Sequence, residues 1–173
     1  MLGIVGAENM EKAFEGFRDV MTGYADIKVV ALEHENNSVE ESARITSALI
    51  QKYPDIAGFA GFDAAAGPGI ATAVREAGKA GIIKVVSNNI DIPQLQAMKE
   101  GSIQFLLGQK RKFFGYWGVM TLYIHIKSSL TFTEDDEAAG IINLPPRIIT
   151  GFLRANKDNV DLYWEAFEKY SEK

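Results

Sequence analysis

The feature that most restricts the fold is an alternation. Short β-branched runs are separated by stretches with helical apolar spacing, and the pattern continues to about residue 109. Met10, Ala13, Phe14, Phe17, Val20, Met21 and Tyr24 recur at the spacing of one helix face, and Ile27-Lys28-Val29-Val30-Ala31-Leu32 then reads as a strand. Ser38 followed by Glu41 forms a capping box that opens a helix with Val39, Ser42, Ile45 and Leu49 turned inward, stopping before Pro54. A strand is predicted at 56–62. Pro68 marks the first turn of the next helix, which ends near Gly78. Strand 82–87, helix 92–99 behind Pro93 and strand 103–107 follow. At the front of the chain, Leu2-Gly3-Ile4-Val5 reads as a further strand.

Parallel neighbours need a crossover, and a helix is the usual crossover, so this alternation predicts an α/β protein: a parallel sheet with helices on both faces. In such sheets small ligands bind beyond the carboxyl ends of the strands, where helix N-termini offer free N–H groups. The loops at that edge are Gly6 to Asn9, Glu33 to Asn37, Asp63 to Gly69, Asn88 to Asp91, and Gly108-Gln109. Most hold amides or carboxylates. Those residue types are also ordinary turn formers, so it is their collection at one sheet edge that points to a polar ligand.

Composition excludes several classes of function. Eighteen basic against twenty-three acidic residues give a net charge of -5, which offers no general attraction to nucleic acid or anionic lipid. Lys110-Arg111-Lys112 is too short a basic cluster to change that. With no cysteine, thiolate chemistry and disulfides are absent. The richest apolar stretch, Phe113 to Ile126, is shorter than a membrane span and carries His125. The N-terminus has no signal-peptide pattern.

Motifs for catalysis fail one by one. Gly67-Pro68-Gly69 follows a strand as a dinucleotide loop does, but Thr72 stands at the third glycine position. There is no nucleophile elbow and no P-loop, and His34-Glu35 is followed by Asn36-Asn37 instead of a second zinc-binding histidine. His34 and His125 are isolated. The chain reads as a binding protein with no enzymatic role and no cofactor.

A set of motifs in fixed order carries a resemblance. Phe59-Ala60-Gly61-Phe62-Asp63 leads into an alanine-rich helix ending at Ala77-Gly78, then come Ile83-Lys84-Val85-Val86-Ser87-Asn88-Asn89, Gly101-Ser102-Ile103 and Gly108-Gln109. Glu15-Gly16-Phe17, Tyr53-Pro54-Asp55-Ile56, Ile149-Thr150-Gly151 and Lys157-Asp158-Asn159-Val160 extend it over nearly the whole chain. The sequence resembles the type I periplasmic binding proteins for ribose, glucose, xylose and related sugars, and in particular their C-terminal lobe. That family's fold has two lobes joined by crossovers that close on a ligand by a hinge; periplasmic binding proteins are a standard example of such closure.

The resemblance implies a soluble sugar receptor that delivers its ligand to the membrane permease of an ABC transporter, located in the periplasm or outside the cell. It divides the chain into a ligand-binding C-terminal lobe at 1-109, a segment at 110-145 that in relatives crosses into the N-terminal lobe, and a return strand with a C-terminal helix at 146-173. The N-terminal lobe is missing from the chain on this reading, through truncation, internal initiation or a split receptor, and one lobe alone should hold a sugar weakly. Asp63, Asn89 and Gln109 are the ligand residues it implies, with Phe62 either stacking on the sugar or joining the core, and Asn9 as a contact from the first loop. Phe62 stands where ribose-type relatives have asparagine, and Asn89 where they have aspartate. The first loop also lacks their arginine, so the ligand is expected to differ from ribose.

The helix at Phe113 to Ile126 is apolar enough that it is expected to find a partner chain or a second copy of itself. Two other readings of the fold remain: the effector domain of a sugar-responsive transcription repressor, and the sensor module of a membrane kinase. No basic helix-turn-helix accompanies the first.

Overall fold

The computed structural model describes residues 1–127 and 131–171. Helices and strands alternate as α1 (Glu8–Met21), α2 (Val39–Lys52), β1 (Gly58–Gly61), α3 (Ala66–Glu76), β2 (Lys84–Asn88), α4 (Ile92–Lys99), β3 (Phe105–Gln109), α5 (Arg111–Lys127), β4 (Phe152–Ala155) and α6 (Val160–Ser171). The sheet has the order β1-β2-β3-β4. β1 runs parallel to β2 with Phe59 opposite Val85, and β2 runs parallel to β3 with Ser87 opposite Leu106. The chain thus forms an open α/β sheet with parallel strands.

The chain divides into two compact units, one of residues 1–108 with 154–173 and one of residues 109–153. In the first, Ile70, Val74, Val85, Leu95, Ile103 and Leu106 are fully buried. Each such side chain contributes about 1.5–3 kcal/mol relative to an exposed one. Burial alternates along β2, with Val85 and Ser87 inside and Lys84 and Val86 outside, as a strand covered more tightly on one face requires.

Helix starts follow their sequence signals. Ser38 Oγ accepts the Glu41 N–H at 3.1 Å, capping α2. The box is half formed: Glu41 turns to Arg44, and the Ser38 N–H donates to Glu35 O at 3.0 Å. Asp91 caps α4 by accepting from the Gln94 N–H, with proline at the start of the helix. α2 and α3 approach closely because Gly69 has no side chain; a Cβ there would lie 2.5 Å from Val39 O and run into Ser42. Ser42 Oγ donates to Ala66 O across the same contact, at 3.0 Å.

Two predicted strands come out differently. Residues 27–32 form no ladder, and Ile27, Val29, Val30 and Leu32 are exposed. At the N-terminus only the first three residues hold strand-like bonds, and Ile4 to Gly6 turn away. The common reason is that strands form in pairs. Met1 to Gly3 bond residues 33 to 36 on one side and 60 to 62 on the other, whereas among the described residues no strand lies alongside 27–32, where Val30 O accepts from the Tyr53 hydroxyl.

The second unit contains α5 and, at residues 131–151, a segment without regular structure before β4. Asp136 organises that segment, accepting from the N–H groups of Phe132 and Thr133, the Thr133 hydroxyl and the Asn143 amide. The Thr133 hydroxyl leads in holding its carboxyl below the ordinary aspartate value. No residue of α5 is buried.

Candidate ligand-binding site

At the carboxyl edge of the first unit's sheet, β1 delivers Phe62-Asp63 and β2 delivers Asn88-Asn89. The Asn88 amide donates to Phe62 O at 3.2 Å, tying the two strand ends together. Asn89 sits in the left-handed region, φ 73, which asparagine tolerates better than most residues, and its N–H donates to Leu107 O at 2.8 Å. Its amide is therefore carried on a fixed backbone, half-buried at the loop mouth. Asn9 is exposed in the first turn of α1, and Gln109 is exposed at the end of β3, where the second unit begins.

Phe62 is half-buried and meets Phe14 and Phe17 of α1 edge-on, with ring centroids 6.1 and 5.7 Å away. These contacts use the ring to seat α1 over the strand end. Edge-to-face pairs of this kind contribute about 0.5–1.5 kcal/mol each beyond area burial. Of the two roles that the sequence left open for Phe62, the packing role is the one with visible contacts.

Asp63 is 5% exposed and already committed: its Oδ1 accepts the Ala66 N–H at 2.7 Å, at the first residue of α3. Beside it lies Glu35, 0% exposed, which sequence reasoning did not single out. Gly3 N–H donates to Glu35 Oε2 at 2.9 Å, and Gly3 has φ +62 with no room for a Cβ against Asp63 and Met10. Burial first, and then the hydrogen bond with Asp63, push the Glu35 carboxyl up to about 7. The nearby Asp63 charge adds to the same upward push. The only hint in sequence was Asn36-Asn37, both left-handed (φ 53 and 58), a sharp turn that drives the preceding glutamate inward.

The edge thus carries the Asn88 and Asn89 amides on tied strand ends, with the Asp63 and Glu35 carboxyls buried beside them, and no cluster among the described residues able to hold a metal ion. It can offer paired donors and acceptors to a polyhydroxylated ligand. Among the described residues, no helix is long and apolar enough to cross a membrane.

Comparison with known proteins defines the class. Residues 1–129 match the family described as Periplasmic binding protein domain, and the chain belongs to that family. It is 30% identical over 150 residues to the D-ribose/D-allose-binding protein of Pseudomonas aeruginosa, covering 86% of this chain and 45% of that protein. A sugar-binding protein of a sugar ABC transporter from Bacillus halodurans superposes with a TM-score of 0.78 at 28% identity, over 88% of this chain and 52% of that one. An ABC transporter solute-binding protein from Agrobacterium vitis, bound with alpha-D-tagatopyranose, superposes with a TM-score of 0.75 at 29% identity, over 87% of this chain and 46% of that one. The chain spans about half the length of these relatives.

Proposed function

We propose that this chain is the C-terminal-lobe part of a sugar receptor serving an ABC transporter, and that it binds a small monosaccharide at the carboxyl edge of its sheet without turning it over. The observation that carries this reading is similarity to a ribose/allose-binding protein that extends over 86% of the chain. Asn89, Gln109 and Asn9 supply amides suited to sugar hydroxyls, each able to donate and accept. Phe62 borders the same edge, and Asp63 contributes by fixing the start of α3, its carboxylate being held by Ala66 and Glu35. Family membership supports a periplasmic or extracellular location and a permease partner, and the exposed apolar surface of α5 supports pairing with another chain or a second copy.

The expected binding is weak, because one lobe gives up roughly half of the contacts and most of the ligand burial of a closed two-lobed site. Calorimetric titration with D-ribose, D-allose, D-arabinose and D-tagatose tests the reading. The proposal requires a saturable signal for at least one sugar, reduced about tenfold or more by Asn89→Gly, which keeps the left-handed backbone and removes the amide. Silence towards the whole panel by a folded protein would refute it.

A further inference from the structure

β3 lacks one side chain on its core face. Burial alternates along the strand, so Leu106 and Gly108 lie on the buried side, and Gly108 brings no side chain to it. Its φ is outside the left-handed region, so the backbone does not require glycine there. The space does. A Cβ at 108 would lie 2.8 Å from both Cγ1 and Cδ1 of Ile90, well inside the separation of about 3.5–4.0 Å at which carbon atoms rest. Ile90, 5% exposed, therefore occupies the place of the absent side chain, reaching it from the loop after β2. Gly61 and Gly67 at the same edge also make room, but for Ala66, Ser87 and Gln94, which belong to α3, β2 and α4. Gly108 makes room for a loop residue.

That loop residue directly follows Asn89. Asn89 has φ 73, a conformation that residues other than glycine keep where the flanking structure enforces it. On one side the enforcement is polar: the Asn89 N–H donates to Leu107 O at 2.8 Å, and the Asn88 amide donates to Phe62 O at 3.2 Å. On the other side it is apolar, with Ile90 in its gap one residue before Asp91 caps α4. Isoleucine branches at Cβ and has few rotamers, so a filled gap fixes the backbone at 90 along with the side chain. Leu107, which holds the Asn89 N–H, is the chain neighbour of Gly108, so the polar and the apolar anchors grip the same stretch of β3.

We infer that Ile90 is a positioning residue for the candidate sugar site, with Gly108 as its socket, and that this pair sets the placement of Asn89 at the loop mouth. The inference rests on the proposed sugar reading of this edge and adds to it a determinant that acts through Asn89. The Asn89 amide can meet a sugar hydroxyl only at the height and angle its backbone gives it, and hydrogen bonds weaken steeply out of line. Drift of about an ångström in a supporting residue is enough to loosen such a site. In a core role alone, Ile90 would contribute to stability and leave the affinity of the folded protein untouched.

The test uses Ile90→Ala, Gly108→Ala and the double variant of the full chain. Ile90→Ala empties the gap, and Gly108→Ala drives Ile90 out of it. With alanine at both positions, the new Cβ at 108 meets the Cβ at 90 at 3.4 Å, and the contact is re-formed. Hydrogen exchange at the Asn89 N–H and sugar affinity by calorimetry are read for each, well below Tm. Each single variant is expected to weaken sugar binding about tenfold and to speed Asn89 exchange about tenfold more than exchange at Ala73 and Val74 of α3, which report global opening. The double variant is expected to return within about threefold of the original in both. Should Ile90→Ala not fold, Ile90→Val, which keeps the branched Cβ and shortens the knob, gives a milder form of the same loss. Losses that add in the double variant would overturn the inference, and so would single variants with a lowered Tm but unchanged Asn89 exchange or unchanged affinity. Silence of the unmodified chain towards the whole sugar panel would count against the sugar reading, whereas the exchange measurement would still decide whether Ile90 fixes Asn89.

Discussion

Glu35 and Asp63, 28 positions apart in sequence, meet as a buried carboxyl pair beneath the loop edge, with Gly3 N–H on one and Ala66 N–H on the other. The pair joins three separate chain segments at the base of the candidate site. Its protonation state therefore bears on the stability of the edge as a whole.

Stability should decline as pH rises from about 4.5 to about 7. Glu35 has its native value raised to about 7 from an ordinary 4.5, so across that window the folded state holds a proton that the unfolded chain has released. The contribution is complete below the lower value and lost by the upper, at a slope of up to about 1.4 kcal/mol per pH unit. The ionisable groups facing one another here are Asp63, whose charge acts on Glu35, and the Met1 amine, on which the charges of Glu35, Asp63 and Glu33 act. Urea unfolding from pH 4.5 to 7.5 checks this, and Glu35→Gln, which cannot ionise, should flatten the slope.

Asp63→Ala should lower stability by about 1–2 kcal/mol, because α3 loses the acceptor at its first N–H and Glu35 loses its hydrogen-bonding neighbour. Chemical denaturation measures the loss. If sugar affinity fell with stability unchanged, Asp63 would instead be a direct ligand.

Gly69→Ala should cost about 1–3 kcal/mol or more, since the new methyl would meet Val39 O and the Ser42 side chain in the α2–α3 contact. Gly16→Ala serves as the contrast: nothing lies within 4 Å of a Cβ there, and alanine favours the helix. The two changes in Tm should have opposite signs.

The surface of α5 is expected to drive association. Val119, Leu122, Tyr123 and Ile126 are each 60% or more exposed, an apolar display that isolated domains seldom leave uncovered. Light scattering coupled to size-exclusion chromatography should show a dimer or a larger species. Replacing Val119, Leu122 and Ile126 with lysine should return a monomer.

The parallel α/β order could be read directly because its signals are local: the Ser38 cap, the Asp91-Ile92-Pro93 helix start, and the apolar runs at β2 and β3. The 27–32 run has the same strand composition and forms no ladder, since composition expresses a preference for pairing and cannot provide the partner. The site was legible as an edge more than as side chains. Asn89 sits at a constrained loop position, Asp63 Oδ1 accepts from Ala66 beside Glu35, and Phe62 packs on Phe14 and Phe17. Ala66 is a local partner three residues on, but Glu35, Phe14 and Phe17 lie tens of residues away, and no local pattern announces them.

The most direct test of the account is an amide NMR titration of the chain with D-allose, D-ribose and D-tagatose, reading shifts residue by residue. Sugar binding at the carboxyl edge predicts saturable shifts concentrated at Phe62, Asn88, Asn89 and Ile90 for at least one sugar, and their loss in Asn89→Gly. Shifts confined to other surfaces, or none with any of the three, would contradict it.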